Sequence, residues 1–334
     1  MQTYGKITQK DIAKKLGVSV SLVSRVLSGQ GEKVGISHGK IQAVMDAARE
    51  SHYVPLSAAL ALKGKKTRTL GIVVYDFHDP FFVKLIAELQ TAAHNLDYSL
   101  LLVGFLNRVP EPSDLAPLYK HFVDGIIILG SYGELDWLEN FKNTPVVRIG
   151  RGEDERISFA ISIDENDAAT QIVRHLKSLG KRRFCYVSRD ISIHELRLNA
   201  TLEAAKAQGC EIVRAKAASF PSDFEAGYNT AKEIMSNGEA EAFICSTDVA
   251  AMGIIRGLYE NGKRVSQDYP VVGFDDIPAA RNYIPSITSV RQPVDVFAQK
   301  VLNFLSKSGT CGSFSEKGTL IIRESTAGKP QNNS

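Results

Sequence analysis

No stretch of this 334-residue chain approaches the roughly 18 consecutive apolar residues that a membrane-spanning helix needs, so no membrane segment is expected. The N-terminal run MQTYGKITQKDIAKKLG is polar and lacks the apolar core of a signal peptide, which points to a cytoplasmic protein. Cysteine is scarce. The four residues, Cys185, Cys210, Cys245 and Cys311, are widely spaced, with neither C-x-x-C nor a matching histidine pair, so no metal site is expected. They read as small buried apolar side chains. The chain also lacks a P-loop, a G-x-G-x-x-G after a strand, a G-x-S-x-G and an H-E-x-x-H, and its seven histidines are scattered. No catalytic constellation is legible, so neither an enzyme nor a cofactor is expected.

What is present is an ordinary globular composition, 44% hydrophobic and 23% charged, over a length that exceeds a single hydrophobic core. Two or three packed units are expected. The net charge of +3 conceals an uneven distribution: residues 1–68 hold twelve Lys and Arg against four acids, a charge of +8, which leaves −5 for the remainder. A small basic head on an acidic body suggests that the head meets a polyanion. A merely solvated charged face is the alternative.

In the head, Thr8 and Asp11 suit the start of a helix whose face is Ile12, Ala13 and Leu16, and Gly17 ends it. Ser19 can cap a second short helix with Val20, Val23, Val26 and Leu27 near helical spacing. Two such helices joined at a glycine form a helix-turn-helix. A third helix, about 37–51, carries Ile41, Val44, Ala47 and Ala48 on one stripe, and Pro55 then disfavours helix at Val54. Residues 57–63 (SAALALK) form a helix too short to stand alone, and the basic linker Lys65, Lys66, Arg68 follows.

Beyond the linker, β-type segments (70–75, 99–104, 125–129, 146–149, 184–188, 212–216, 242–245, 271–274 and 289–291) interleave with amphipathic helices (80–96, 166–179, 196–208, 224–236, 249–260 and 294–305). Repeated β-α-β implies two doubly wound parallel-sheet lobes, with a ligand cleft at the carboxyl ends of their strands. The expected organisation is a helix-turn-helix domain over 1–56, a hinge helix and linker over 57–68, an α/β body over 69–327, and a tail over 328–334. Within the body the N-lobe takes about 69–165 and 294–318, and the C-lobe about 166–290 and 319–327.

The run ITQKDIAKKLGVSVSLVSRVLSG, followed by Tyr53-x-Pro55, Ala59-x-x-Leu62 and a β-α domain opening on RTLGIVV, resembles the lactose-repressor (LacI/GalR) family of bacterial transcription regulators. Asp79-Pro80-Phe81-Phe82 is similar to that family's NPFF helix start, with Asp in place of Asn. The stretches VDGII (123–127), LRL (196–198), VVGFDD (271–276) and VRQP (290–293) are similar too, so the resemblance runs from about Ile7 to residue 327. It implies a periplasmic-binding-protein type body and a homodimer on double-stranded operator DNA, nucleoid-associated when bound. Operator affinity would be controlled by a small molecule between the lobes, most simply a sugar or sugar derivative.

By the resemblance, Val20 and Ser21 hold base-reading positions and Arg25 reaches a base or phosphate, while Thr8, Ser19, Ser24 and Tyr53 contact the DNA backbone. Val20 is suited to a thymine methyl. Ala59 and Leu62 belong to the hinge helix, with Leu62 at the position that wedges into a minor-groove base step. In the cleft the resemblance nominates Phe81 and Phe82, one lining and one packing, together with Arg197, Phe220, Thr247, Asp275 and Gln292. Phe224 is an alternative to Phe220. Arg148 and Arg151, bracketing Gly150, are expected at the surface, with contact to an oxygen-rich effector as the alternative. Asp276 reads as a turn or cap residue. Two other functional readings stand beside the sugar-responsive repressor: a nucleobase- or nucleoside-responsive regulator of the same family, and a cytoplasmic solute-binding protein without regulatory function. The tail from Thr326 lacks apolar heptads, which favours a dimer over a tetramer.

Overall fold

The structure is a computed structural model and describes residues 7–53, 60–61, 64–105, 108, 110–131, 135–152, 154–189, 192–214, 220–307 and 310–327. Ala59, Leu62, most of the hinge segment and residues 328–334 of the tail lie outside the described residues. The chain divides into two compact units, Met1–Thr67 and Arg68–Ser334.

The first unit contains α1 (Gln9–Leu16), α2 (Val20–Leu27) and α3 (His38–Glu50). Thr8 and Asp11 close a capping box on α1: the Thr8 N–H donates to Asp11 Oδ2 at 2.9 Å and the Asp11 N–H to Thr8 Oγ1 at 3.3 Å. Gly17 ends α1 at φ 62°, a left-handed conformation that glycine adopts without steric cost. Ser19 then caps α2 through the Leu22 N–H at 3.1 Å. The helices share a core of Ile12, Ala13, Val23, Val26, Val44, Ala47 and Ala48, with Tyr53 packed against it.

The second unit holds two sheets, each of six strands among the described residues. Its first lobe is built from β1 (Thr69–Val74), α4 (Pro80–His94), β2 (Ser99–Gly104), α5 (Pro112–His121), β3 (Gly125–Leu129), β4 (Val146–Ile149) and β5 (Phe159–Ile163). The chain then passes through α6 (Glu165–Ser178), β6 (Arg183–Val187), α7 (Ser192–Ala207), β7 (Glu211–Arg214), α8 (Asp223–Asn237), β8 (Ala242–Cys245), α9 (Asp248–Glu260), β9 (Val271–Asp275), α10 (Pro278–Asn282) and β10 (Thr288–Arg291). It returns to the first sheet through α11 (Val294–Lys307) and β11 (Gly312–Glu316), and ends in the second with β12 (Thr319–Ile321) and α12 (Glu324–Ala327).

The sheet orders are β11-β5-β4-β3-β1-β2 and β12-β10-β9-β8-β6-β7, parallel throughout except for β12 against β10. Strand order therefore reverses beside β1 in one lobe and beside β6 in the other. Ligands of doubly wound sheets bind at such reversals, outside the carboxyl ends of the strands.

Both faces of the first sheet are covered: Ile72 and Val74 meet Leu85, Leu89, Phe297 and Val301, while Val73, Ile126 and Ile128 meet Leu115 and Leu118. Each fully buried side chain of this size contributes about 1.5–3 kcal/mol. In the second lobe α8 and α9 approach at glycines; a Cβ at Gly253 would lie 2.1 Å from the Phe224 carbonyl oxygen, and one at Gly227 would lie 2.0 Å from that of Ala250. Only glycine permits that spacing.

Several elements depart from the expectations. Strand β5 was hidden behind the charged run 153–156. Helix α5 contains Pro117, which ordinarily argues against a helix, yet Pro112 at its first turn and the Glu111–Asp114 capping box start it. Strand β11 is mostly exposed and so shows no apolar pattern. Of the cysteines, Cys185 and Cys245 are buried, but Cys210 is half-buried and Cys311 exposed, so burial does not describe all four. No helix among the described residues is long and apolar enough to cross a membrane.

Candidate functional site

Two sites emerge, one in each unit. In the head, the side of α2 opposite the buried Val23 and Val26 presents Val20, Ser21 and Arg25 to solvent, with Ser24 half-buried beside them. Val20 is the first residue of the helix and is 45% exposed, so it does not serve the head core. An exposed apolar residue at a helix start, flanked by a hydroxyl and a guanidinium, can meet a base methyl while its neighbours reach polar groups. Lys10, Lys14 and Lys15 are exposed on α1. The hydroxyls of Thr8 and Ser19 are engaged in helix capping, and Tyr53 is half-buried against the core.

In the body a cavity of about 1050 Å³ opens at the carboxyl ends of both sheets. From the first lobe it is lined by Tyr75, Asp76 and His78 after β1, Asp79, Phe81 and Phe82 at the start of α4, Phe105, Trp137, and Ser131, Gly150 and Arg151 after β3 and β4. The second lobe and the crossings contribute Glu165, Arg189, His194, Arg197, Asp223, Thr247, Asp275 and Gln292. Thus Phe81, Phe82, Arg197, Thr247, Asp275 and Gln292 share one cavity. Phe81 and Phe82 both line it, rather than one lining and one packing, with ring centroids 5.7 Å apart and a 56° tilt.

Phe220 is not among the lining residues; its segment delivers Pro221, Ser222 and Asp223 instead. Phe224 is exposed and stacks on Tyr228 one helical turn on, so it does not take that role either.

Arg197 is buried and held on every side. Its guanidinium donates from Nε to Glu165 Oε2 at 3.1 Å, from Nη2 to Glu165 Oε1 at 3.3 Å, and from Nη1 to the Ser246 carbonyl. It lies 3.5 Å above the Phe274 ring centroid and 3.9 Å from Asp275 Oδ1. Burial disfavours its charge, but the Glu165 and Asp275 carboxylates outweigh that and raise its pKa.

Asp275 ends β9 with φ 100°, and Asp276 follows at 49°, both conformations that side chains other than glycine adopt at a cost of order 1–3 kcal/mol. The strain is held in place by Lys84 Nζ, which donates to the carbonyls of Asp275 (3.1 Å) and Asp276 (3.0 Å), and by Gln292 Nε2, which donates to Asp275 Oδ1 at 2.6 Å. Burial pushes the Asp275 carboxyl up to about 6 despite Arg197. Asp276 does more than shape a turn: it receives Arg291 and Arg323, each at 2.6 Å. Thr247 caps α9 through the Ala250 N–H and donates to Asp223 Oδ2 at 3.3 Å. Asp223 also pairs with Arg189 Nε at 2.6 Å. His194, deep in the wall, is pushed down to about 4 by burial and stays neutral near pH 7.

Arg148 and Arg151 do not sit at the surface as a pair. Arg148 is fully buried and donates from Nη1 to the carbonyls of Arg151 (3.1 Å) and Gly152 (3.0 Å), bracing the loop after β4. Arg151 lines the cavity and donates from Nη2 to the Ile163 carbonyl at 2.8 Å. Among the described residues no group of three or more His, Cys, Asp and Glu could hold a metal ion. The cleft offers aromatic walls together with forked donors and carboxylate acceptors, the means to grip a small polyhydroxyl ring from two lobes at once.

Residues 8–56 match the family described as bacterial regulatory proteins, lacI family, and residues 173–326 match the periplasmic binding protein-like domain. Among curated relatives, the HTH-type transcriptional repressor PurR of Haemophilus influenzae is 29% identical over 89% of this chain and 90% of its own length. The ribose operon repressor of Halalkalibacterium halodurans is 29% identical over 86% of each chain. Among solved structures, a lac repressor dimer bound to operator and the anti-inducer ONPF superposes with a TM-score of 0.81 at 22% identity, covering 96% of this chain and 99% of that one. A transcriptional regulator CelR–cellobiose complex gives 0.65 at 24% identity, covering 96% and 99%.

Proposed function

From this chain's membership of the lacI family of bacterial regulatory proteins, a DNA-binding head ahead of a periplasmic binding protein-like body, we infer a homodimeric repressor whose operator affinity is set by a sugar-like effector in the cleft. The observation that carries the effector reading is the cleft itself, where Arg197, Asp275, Thr247 and Gln292 converge with Phe81 and Phe82 in one cavity. Two relatives support a sugar by name, a ribose operon repressor and a regulator in complex with cellobiose. The two Phe rings could equally stack on a flat heterocycle, which sustains the nucleobase reading as second choice.

In this account Val20, Ser21 and Arg25 read bases in the major groove, and Thr8, Ser19, Ser24 and Tyr53 set the head on the phosphates. Ala59 and Leu62 belong to the hinge that enters the minor groove between two half-sites, so the account requires two copies of the chain. Its work is on chromosomal DNA, in the cytoplasm at the nucleoid. A ligand gripped by Phe81, Phe82 and Arg151 from one lobe and by Arg197, Thr247 and Asp275 from the other favours one angle between the lobes. Effector and operator affinities are then linked reciprocally, by a coupling of about 1–3 kcal/mol, or roughly 5- to 150-fold.

Thermal unfolding of the full chain with neutral sugars (ribose, glucose, cellobiose) and, separately, with adenine, hypoxanthine and guanosine tests the effector class. A ligand at about 100 times its Kd adds about 2.7 kcal/mol, equivalent to several degrees in Tm. Sugars alone are expected to raise the midpoint; a shift with the heterocycles alone would establish the second reading.

A further inference from the structure

The carboxylates that line the cleft are not equally provided with cations. Glu165 is forked by Arg197, Asp223 is paired with Arg189, and Asp275 has Arg197 at 3.9 Å and the Gln292 amide at 2.6 Å. Asp76 accepts from the His78 N–H at 2.8 Å and lies 2.9 Å from its ring nitrogen Nδ1. Asp79 has no cation among the described residues. Among these residues its carboxylate accepts one hydrogen bond, from the Phe81 N–H to Oδ1 at 2.9 Å, the cap of helix α4.

Capping does not require that charge. Asparagine caps a helix as well as aspartate does, and the family motif that 79–82 resembles carries Asn there. The helix dipole favours an anion at this end, yet burial, followed by the nearby Asp275 and Asp223 carboxylates, outweighs it and pushes the Asp79 carboxyl up to about 7. An acid placed where its own protein opposes its ionisation, in the wall of a ligand cavity with aromatic neighbours Phe81 and Phe82, is complementary to a ligand that brings the missing positive charge.

We propose that the effector carries a basic nitrogen, as an amino sugar does, and that its ammonium is received by Asp79 with Asp275 across the cleft. The proposal rests on the sugar reading above. Aromatic faces at Phe81 and Phe82 suit both the ring and its charged substituent, and the two Arg197 N–H groups left over from Glu165 and Ser246 face hydroxyl oxygens on the other side of the ring.

Titration calorimetry of the full chain with D-glucosamine, D-galactosamine and D-mannosamine, each beside its parent hexose and its N-acetyl derivative, tests this. At least one amine is expected to bind tenfold or more tightly than both neutral counterparts, and Asp79→Asn is expected to erase that difference. A ligand-free control follows from linkage. A carboxyl whose folded pKa lies near 7, above its unfolded 3.8, costs stability that grows as pH rises from about 4 to 7. Asp79→Asn should therefore raise Tm at pH 8 and change it little below pH 4. Equal or better binding of the neutral sugars, an amine preference that survives Asp79→Asn, or a variant no more stable at pH 8 than the parent would each overturn the proposal. Binding confined to neutral sugars would leave the sugar reading intact, whereas no binding by any sugar would remove both.

Discussion

Arg197→Ala is expected to abolish effector binding and to destabilise the body by about 3–5 kcal/mol, the cost of breaking a buried ion pair from one side. The guanidinium is the cation that makes Glu165 tolerable where only 3% of that residue is exposed. Truncation would leave the carboxylate, the Ser246 carbonyl and the Phe274 ring without their shared partner, and Asp275 without the charge that restrains its rising pKa. Arg197→Lys restores a charge without the fork, so it should recover part of the stability and little of the ligand affinity. Urea unfolding of each variant, followed with calorimetry against whichever ligand shifts the parent's Tm, separates the two effects. An unchanged denaturation midpoint in Arg197→Ala would show that Glu165 does not depend on it.

Leu62→Ala is expected to weaken binding to a specific two-half-site operator roughly 10- to 100-fold, about 1.4–2.8 kcal/mol, while sparing effector affinity and binding to non-specific DNA. An apolar wedge between base steps holds DNA in a bent form that wraps more protein surface, and a methyl in place of the isobutyl group cannot occupy the step. The residue lies outside the described residues, but Leu60 and Ala61 beside it are helical, and the SAALALK composition forms a helix that requires a partner to persist. Gel-shift titration with a selected operator, in parallel with calorimetry, reads both affinities. An operator affinity equal to that of the parent chain would remove the hinge assignment.

The fold was legible wherever chemistry is local. Thr8 with Asp11, Gly17 and Ser19 announce helix ends through hydrogen bonds and φ angles that span only a few residues, and the lobe strands announce themselves by continuous apolar runs such as LGIVV and GIIIL. Phe81, Arg197, Asp275 and Gln292 are legible through the short motifs shared with the resembled family; Phe81, Asp275 and Gln292 stand near strand ends, where doubly wound sheets place their ligands, and Arg197 within α7. What stayed hidden depends on distance along the chain. Nothing near Arg197 names Glu165, which is 32 residues away, and nothing near Asp275 names Lys84, which is 191 residues away. Arg148 looks like a surface residue until the loop of Arg151 and Gly152 is seen to wrap it. Phe220 is nominated by the resemblance, but its segment gives the cleft Pro221, Ser222 and, at the start of α8, Asp223. The absence of a cation beside Asp79 among the described residues is a property of the assembled cleft and of no segment of sequence.

The central claim, that the +8 head reads DNA, is tested most directly by fluorescence anisotropy of the full chain on a labelled non-specific duplex between 50 and 200 mM salt. Six to ten phosphate contacts predict an affinity that falls about 10³- to 10⁵-fold over that range, as counterions are released less favourably. A flat salt response, or no binding to the duplex at 50 mM, would contradict the account.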